Sequence, residues 1–491
     1  MDKPPFKKVL VANRGEIAVR IIRTLKDLSI KSVAVYSDAD RRALHVLLAD
    51  ESYYIGSSTP SESYLNIERI IDVAKRSNAE AIHPGYGFLS QNPLFAERCE
   101  EEGIVFIGPG SDVQKLTGDK VAARNTAIDS GVPVVPGTRE ALTSEEEVLD
   151  FAEKIGYPVI LKPALGGGGI GMKVCYSEEE LLNNFRYSRK LAESAFGKSE
   201  IYLEKYFPKA RHIEVQILAD KHGNVIHLFE RECSIQRRFQ KVIEETPSPA
   251  LSEDERKRVT ELAVKMARAV KYVNAGTVEF IFDPDSRNFY FLEVNSRIQV
   301  EHPITEMVTG VNIVEEQLYI AAGYELRYSQ NEILRRGCSI EARINAEDPY
   351  SNFTPSPGLI QEYREPSGFG VRVDSGVYAG YSVPPYYDPL IAKLIVWAGN
   401  RRKAIKRLMN ALKEYVIGGI KTNIPLHLTV LNHPMFIKGD YGTRFLYEHN
   451  ILSSIGKFDT LLLPKPHVKR REKKVQPVSA WKVVGRYLAM R

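Results

Sequence analysis

Short apolar runs that alternate with a helical pattern dominate the start of the chain. KVLVAN, SVAVYS, AEAIHPGYG and GIVFIGP are typical of buried strands, and IAVRIIRTLKDL has apolar residues at helical spacing. Alternating strands and helices predict a parallel sheet with helices on both faces. We therefore expect an α/β unit over residues 1–114. It contains no GxGxxG motif, so a dinucleotide site is not supported.

Further units are expected, because a chain of 491 residues is too long for one hydrophobic core. Residues 115–333 begin with helical material and continue with YPVILKP, YLEKYF and HIEVQILAD, which predict short strands of an antiparallel or mixed sheet. AGTVEFIF and FYFLEVN, separated by DPDSRN, predict a hairpin. Residues 334–447 carry more strand patterns and the helix RRKAIKRLMNALKEYV, and residues 448–491 form a basic tail.

The composition is that of an ordinary globular protein, with 43% hydrophobic and 26% charged residues. No run of about 18–20 uncharged apolar residues occurs, so a membrane-spanning helix is not expected. The N-terminus lacks the pattern of a signal peptide. The cysteines lie far apart without a CxxC pair, which argues against a zinc finger or a disulfide framework. They are Cys99, Cys175, Cys233 and Cys338. We expect a soluble, cytoplasmic protein.

The net charge of +5 is concentrated in the tail. From Lys457 onward there are ten basic and two acidic residues, so the rest of the chain is close to neutral. A body without excess positive charge argues against nucleic-acid binding. The segment KRREKK at 469–474 is either a docking arm for another protein or a solvated terminus.

A lysine followed by consecutive glycines is the strongest local signal for ligand binding. Lys162 precedes the segment GGGGIG at 166–171. Successive backbone N–H groups without side chains can enclose an anion, and a lysine supplies a charge for a phosphate. The segment is not a P-loop, because GxxxxGK[ST] is absent. The alternative interpretation is a flexible hairpin tip.

The predicted hairpin brings two glutamates together. With a five-residue turn at 284–288, Glu279 lies directly across from Glu293, and Asn295 projects from the same face. Opposed carboxylates repel each other, whereas Mg²⁺ is held by one or two carboxylates together with substrate phosphates. We predict a metal site at these three residues. A register shifted by one residue would instead separate the acids and leave them solvated.

A charged segment, RIQVEHP, follows the hairpin. Arg297 could bind a planar oxyanion through its guanidinium fork, and Glu301 could act as a general base. On its own the segment is equally compatible with a salt-bridged strand end. Further candidates, each of which alone is more typical of a surface or structural position, are Lys120, His212, Glu214, Gln236, Lys241 and Arg343.

Together these segments resemble the biotin carboxylase family over about residues 6–450. An ordered series of motifs carries the resemblance: KVLVANRGEIAVRII, HPGYGFLSQNP, GDK, LKPALGGGGIGM, YLEKY, RHIEVQ, RECSIQRR, QKVIEE, EFIF, LEVNSRIQVEHPITEM, EARINAEDP, TPSPG and VPPYYDPLIAKL. The resemblance implies a fold of mixed α/β and α+β class. Its parts would be a Rossmann-like parallel sheet (1–114), an ATP-grasp domain (115–333) with a mobile glycine-rich lid at about 133–206, and a C-terminal biotin carboxylase domain (334–447).

The resemblance also implies a reaction. Such enzymes are ligases in which ATP and bicarbonate form carboxyphosphate, and the CO₂ unit is transferred to N1 of biotin with release of ADP and phosphate. The implied metal is Mg²⁺ or Mn²⁺. Because the chain lacks the Met-Lys-Met of biotin attachment, we expect a separate biotin carrier protein and a separate carboxyltransferase. A homodimer or a larger complex is expected, without nucleic-acid or membrane partners. The final carboxyl acceptor (pyruvate, acetyl-CoA, propionyl-CoA or another) is left open.

By motif, the resemblance implies a role for each candidate residue. ATP would contact Lys120, Lys162, Gly166, Gly167, Gly168, Gly169, Glu204, Lys205, His212 and Gln236. The metal would be bound by Glu279, Glu293 and Asn295. Bicarbonate and carboxyphosphate would be held by Lys241, Arg297, Gln299 and Val300. Glu301 would deprotonate bicarbonate, and Arg343 would stabilise the negative charge on enolised biotin.

Three positions depart from the family pattern. Leu165 replaces the first glycine of the loop, Ile170 stands where Arg or Lys is common, and Phe239 stands where His is frequent. Each departure removes a possible phosphate contact. Two alternatives therefore stay open: another ATP-grasp ligase, and a non-catalytic paralogue that binds nucleotide as a scaffold.

Overall fold

The computed structural model describes residues 4–138, 140–163, 173–196 and 201–456. The predicted glycine loop at 166–169, Leu165, Ile170 and the tail from residue 457 lie outside these ranges. Among the helices of the described ranges, none is long and apolar enough to cross a membrane.

A parallel sheet forms the centre of the first unit, as the alternating pattern predicts. Its strands lie in the order β3-β2-β1-β4-β5, and neighbouring strands pair in parallel. The strands are β1 (Lys8–Val11), β2 (Lys31–Ser37), β3 (Glu51–Gly56), β4 (Ala81–His83) and β5 (Val105–Phe106), and the helices are α1 (Gly15–Asp27), α2 (Leu44–Leu48), α3 (Ile67–Ser77) and α4 (Pro93–Glu101). The apolar pattern did not predict β3, because this edge strand alternates half-buried and exposed side chains.

A small antiparallel sheet with strand order β7-β6-β8 lies in the next part of the chain. The elements here are α5 (Ser111–Gly118), α6 (Lys120–Asp129), α7 (Glu145–Ile155), β6 (Val159–Pro163), β7 (Lys173–Cys175), α8 (Glu178–Phe196) and β8 (Ile201–Lys205). Val148, Leu161, Phe185 and Leu203 belong to a hydrophobic core of its own. The small sheet, α7 and α8 fall within the predicted lid at about 133–206, whose boundaries stay a prediction.

A large antiparallel sheet, called the central sheet below, joins the second and third predicted regions. Its elements and those around it are β9 (Arg211–Ala219), β10 (Val225–Arg237), β11 (Gln240–Thr246), α9 (Glu253–Ala269), β12 (Asn274–Asp283), β13 (Asn288–Asn295), α10 (His302–Thr309), α11 (Ile313–Ala321), β14 (Cys338–Asn345), β15 (Glu347–Asp348), β16 (Thr354–Pro355), β17 (Gly358–Leu359), β18 (Glu362–Arg364), β19 (Val371–Ser375), β20 (Ser382–Val383) and β21 (Leu390–Ala398). The strand order is β13-β12-β9-β10-β11-β14-β21-β19. Hydrogen bonding therefore continues across the boundary predicted at 333/334, which itself stays a prediction.

The described chain ends with a helical layer. Its elements are α12 (Arg401–Glu414), β22 (Val416–Gly418), α13 (Ile424–Asn432), α14 (Pro434–Lys438) and α15 (Phe445–Glu448). Leu394 of β21 and Leu408 of α12 are fully buried in one hydrophobic core with residues of β14. This core supports the half of the central sheet that carries β14 and β21.

The β12–β13 hairpin has the predicted pairing but not the predicted turn. Glu279 lies opposite Glu293, as expected. Asp283, however, pairs with Asn288, so the loop has four residues rather than five. A bulge at Leu292, between the Phe280–Phe291 and Glu279–Glu293 pairs, adds one residue and restores the register. The prediction of the loop was wrong, and the prediction of the opposed carboxylates was confirmed.

The buried part of the central sheet yields a stability prediction. Leu394→Ala should lower the free energy of unfolding by about 2–5 kcal/mol, because the fully buried side chain leaves a cavity in the core. Leu359→Ala is the matched control, since Leu359 is 51% exposed in β17 and its truncation should change the value by about 0.5 kcal/mol or less. Urea unfolding followed by circular dichroism measures both, and equal losses would contradict the assignment of Leu394 to the core.

Candidate active site

A cavity of about 1410 Å³ is bounded by the first unit, the small sheet and the central sheet. It is larger than a pocket for one drug-sized ligand, which is ~300–1,000 Å³, so it can hold more than one small molecule. The predicted site residues on its wall are Lys120, Lys162, Glu204, Lys205, His212, Gln236, Lys241, Glu279, Glu293, Asn295, Arg297, Gln299, Val300 and Arg343. Among the described site residues, Glu301 does not reach the wall; it lies behind Lys241 and Arg343.

The strand register places three carboxylates side by side. Glu293 of β13 lies opposite Glu279 of β12, which lies opposite Glu214 of β9. Glu214 is fully buried and Glu279 is 5% exposed. Opposed like charges are destabilising, and buried ones also lose their hydration. The row therefore requires cations.

Lys241 is the cation that Glu214 and Glu279 share with a third carboxylate, Glu301. Its Nζ lies 2.5 Å from an oxygen of Glu214, 2.9 Å from one of Glu279 and 2.7 Å from Oε1 of Glu301. Burial by itself would lower the pKa of Lys241, but the three carboxylates outweigh burial and raise this pKa well above its usual value. The lysine stays charged and joins three strands and the loop before α10.

Glu301 is held between two cations. Besides Lys241, Nη2 of Arg343 lies 3.0 Å from its Oε2. Burial alone would raise the pKa of Glu301, but Lys241 and Arg343 outweigh burial and hold this pKa well below its usual value. Arg343 also donates from Nε to Glu244 at 2.6 Å, whose pKa burial raises to about 7. Glu301 is thus an ionised carboxylate, as a general base must be.

The donor set around Glu279 suits a hard divalent cation. Nδ2 of Asn295 lies 3.0 Å from Oε1 of Glu279 and 3.4 Å from Oε1 of Glu293. Nε2 of His212 lies 2.9 Å from Oε2 of Glu279. Burial opposes a charge on His212, but Glu279 outweighs it and raises the histidine pKa. Two carboxylates and an amide oxygen, once the amide is turned, match the oxygen ligands of Mg²⁺ or Mn²⁺.

Arg297 extends from the loop after β13 toward the same carboxylates. Its Nε donates to Gln91 of the first unit at 2.6 Å, and Nη1 donates to Gln299 at 3.0 Å. Gln299 in turn donates to Glu279 at 3.2 Å. The guanidinium is therefore oriented by neighbours on two units and stays at the cavity wall, where it can meet an oxyanion.

Three of the residues predicted to contact ATP lie on the small sheet, across the cavity from the carboxylates. Lys162 of β6 forms an ion pair with Glu204 of β8. Lys205 donates from Nζ to the backbone oxygens of Gly156 and Tyr157, both at 2.9 Å, so it also stabilises the small sheet. Lys120 begins α6.

Gln236 contacts a residue of the metal group. Its Nε2 lies 3.2 Å from Nδ1 of His212, on the neighbouring strand β9 of the central sheet. The contact joins a residue predicted to line the nucleotide to the histidine beside Glu279.

Phe239 lies at the cavity rim with 67% of its surface exposed. It forms the β10–β11 turn with Arg238, and φ is 64° and 50° at these two residues. Two consecutive positive φ angles match the turns that favour tight hairpins. A large apolar side chain therefore stands at the rim of the cavity.

Two buried partners of the site were not predicted from the sequence. Arg231 is fully buried and its Nε lies 2.5 Å from Glu214, while Glu244 binds Arg343. A signal was present in β9, where His212, Glu214 and Gln216 alternate with apolar residues. Polar side chains at every second position of a buried strand indicate a polar face directed at a site.

The shared lysine yields a prediction for stability and its pH dependence. Lys241→Met should lower the free energy of unfolding by about 3–5 kcal/mol at pH 7, because it leaves buried carboxylates without their common cation. Loss of the cation raises the pKa values of Glu279 and Glu301, so the folded variant takes up protons earlier and the deficit should shrink as the pH falls toward 5. Lys257→Met, at a side chain 77% exposed, is the control. Urea unfolding at several pH values measures the effect, and a deficit that grows on acidification would contradict this account.

Comparisons with known proteins agree with this geometry. Family models match in three consecutive segments: the biotin carboxylase N-terminal domain at residues 5–113, the carbamoyl-phosphate synthase L chain ATP-binding domain at 119–329, and the biotin carboxylase C-terminal domain at 341–448.

Relatives are similar over most of the chain. Biotin carboxylase 1 of Bacillus subtilis is 52% identical over 91% of this chain and all of its own. The 2-oxoglutarate carboxylase small subunit of Hydrogenobacter thermophilus is 52% identical over 90% of this chain and 94% of its own. The biotin carboxylase domain dimer of Hydrogenobacter thermophilus 2-oxoglutarate carboxylase, solved with MgADP, ADP and bicarbonate, has a TM-score of 0.85 and 51% identity over 92% of this chain and 99% of that one. The chain belongs to the biotin carboxylase family.

Proposed function

We propose that this protein is a biotin carboxylase, an ATP-dependent ligase that carboxylates N1 of biotin with bicarbonate and releases ADP and phosphate. The observation that carries the proposal is the ionised Glu301 held between Lys241 and Arg343 directly behind the wall of the large cavity. A reaction that passes through concentrated negative charge is stabilised by cations already in place. Lys241 and Arg343 supply these cations.

The proposed nucleotide side of the cavity is formed by the small sheet, α6 and the adjoining ends of β9 and β10. Lys120 and Lys162 would contact phosphates, and Glu204, Lys205, His212 and Gln236 would line the rest of the nucleotide. The Lys162–Glu204 ion pair has to open for the lysine to reach a phosphate. The predicted glycine contacts at 166–169 lie outside the described residues and stay a prediction.

The metal ligands in this proposal are Glu279, Glu293 and Asn295. A bound Mg²⁺ or Mn²⁺ would offset the charge of the nucleotide phosphates. A metal held there would supply part of the positive charge that Glu279 now receives from Lys241. The Lys241 ammonium lies 2.9 Å from Glu279 and on the cavity wall, where it can meet an incoming anion.

Bicarbonate would bind beside Lys241, Arg297, Gln299 and the Val300 backbone. Glu301 would accept its proton, which makes a bicarbonate oxygen the nucleophile toward the terminal phosphorus of ATP. The bond from that phosphorus to ADP breaks, and carboxyphosphate forms. The pKa of Glu301 stays low as long as Lys241 and Arg343 contact its carboxylate. An anion that draws either cation away would raise this pKa, so the transfer of the bicarbonate proton is coupled to anion binding.

Biotin would enter from the Arg343 side, where the guanidinium can stabilise the oxyanion of the enolised ureido group. We infer that the biotin is carried by a separate protein and that a carboxyltransferase completes the system. In support, relatives of matching length are named as a biotin carboxylase and as the small subunit of a carboxylase. A homodimer is also proposed, because the Hydrogenobacter thermophilus structure is that of a dimer.

The test is ADP release by the purified chain with Mg²⁺, bicarbonate and free biotin. Wild-type protein should release ADP in a bicarbonate-dependent manner and faster with biotin. Glu301→Gln should lower this rate by about 10²–10⁴-fold, because the proton acceptor is lost while its shape is kept. ATP affinity, measured by calorimetry, should be unchanged, since Glu301 does not line the cavity.

Other outcomes would overturn the proposal. ADP release that is indifferent to biotin would indicate another ATP-grasp ligase. ATP binding without turnover in the wild-type protein would indicate a nucleotide-binding scaffold, for which the exposed Phe239 would be the first position to examine. A rate of the Glu301→Gln variant within about twofold of wild type would remove Glu301 as the base.

A further inference from the structure

A second buried lysine lies close to the active site without belonging to it. Lys393 of β21 has no exposed surface and does not line the cavity. An ammonium group that is removed from water needs strong partners to remain charged. The groups that Lys393 contacts therefore show how its charge is stabilised.

The strand register aligns Lys393 with the site. Arg343 of β14 lies directly opposite Lys393, and Asp374 of β19 lies opposite on the other side. Directly opposed residues of antiparallel strands project from the same face. Arg343 and Lys393 thus approach the loop before α10 together: Arg343 contacts the Glu301 carboxylate, and Lys393 contacts the backbone next to it.

The ammonium of Lys393 joins two walls of the cavity. Nζ donates to the carbonyl oxygen of Val300 at 2.9 Å and forms an ion pair with Oε2 of Glu16 in α1 at 3.1 Å. The other oxygen of Glu16 accepts a hydrogen bond from the hydroxyl of Tyr86. Val300, Glu16 and Tyr86 all line the cavity. Asp374 is 3.9 Å away, and both of its oxygens already accept hydrogen bonds from Nε and Nη2 of Arg372.

Close packing holds Glu16 in place. A Cβ atom on Gly376, just after β19, would lie 2.6 Å from the backbone nitrogen of Glu16. The start of α1 therefore contacts the backbone beyond β19 without an intervening side chain. Glu16 is 3% exposed, so its carboxylate has little room to move away from Lys393.

We propose that Lys393 and Glu16 form a positioning pair that fixes the Val300–Glu301 backbone and Tyr86 relative to each other across the cavity. The inference rests on the proposed function, because it makes these two residues support the backbone beside the proposed bicarbonate site. Neither residue touches the reacting atoms in this account. They act by holding the carbonyl of Val300, and with it the direction of the Glu301 side chain.

The experiment compares Lys393→Met, Glu16→Gln and the double variant in the full chain. Lys393→Met should raise the KM for bicarbonate by about tenfold or more in the ADP-release assay, since small misplacements of catalytic groups have large effects. The KM for ATP should stay within about twofold, because the proposed nucleotide residues lie on other elements. The melting temperature should fall, because Glu16 is left as a buried, unpaired carboxylate.

The double variant separates positioning from stability. It removes both charges, while the amide introduced by Glu16→Gln can still accept the Tyr86 hydrogen bond, so the melting temperature should recover toward wild type. The KM for bicarbonate should stay raised, because the Val300 carbonyl still lacks its donor. If Lys393→Met does not fold, the double variant carries the test alone.

Arg256→Met is the matched control. It breaks another buried ion pair, with Glu230 at 2.8 Å, away from the cavity wall. It should lower the melting temperature and leave the KM for bicarbonate within about twofold.

A KM for bicarbonate that recovers in the double variant, or that rises equally in the control, would overturn the inference alone. Wild-type protein without bicarbonate-dependent ADP release would overturn the proposed function, and this inference with it.

Discussion

The arrangement of this site depends on one electrostatic constraint: carboxylates that are buried side by side must share a cation. Glu214 and Glu279 lie opposite each other in the central sheet, and Glu301 approaches from the next loop. Lys241 contacts all three, and it comes from β11. Arg343, from β14, supplies the second charge to Glu301. The continuous sheet is what brings these residues together from distant parts of the chain.

A gain in folding stability does not explain why these charged side chains are buried together. Buried ion pairs seldom stabilise a protein more than well-packed apolar residues do, because both partners lose their hydration. What they provide is a set of charges that is already oriented when an anion arrives, and this suits chemistry on phosphate and bicarbonate. The Lys393–Glu16 pair is a second buried ion pair that orients groups at the cavity. It holds backbone and a tyrosine hydroxyl at the cavity rather than contacting the proposed ligands.

Much of the fold and site could be predicted from the sequence, for identifiable reasons. Helical and strand patterns indicated the parallel sheet, and the hairpin prediction paired Glu279 with Glu293. The bulge at Leu292 escaped prediction, because a bulge depends on the neighbouring strands rather than on the local pattern. Strand β3 was missed since its first four residues alternate between half-buried and exposed positions at the edge of the sheet. Motifs indicated Glu301 as a base but carried no information on its burial.

The family, the order of most elements and the residue types available for chemistry could be read from the chain, because they follow from local patterns and from long ordered motifs. Which charges meet depends on the folded arrangement. The contacts of Lys241 with Glu301 and of Lys393 with Glu16 span 60 and several hundred residues of chain. They exist because α10 with the loop before it, and the start of α1, pack against the central-sheet strands that carry the two lysines. The pKa of Glu301 follows from that assembly, since burial and two neighbouring cations act on it together.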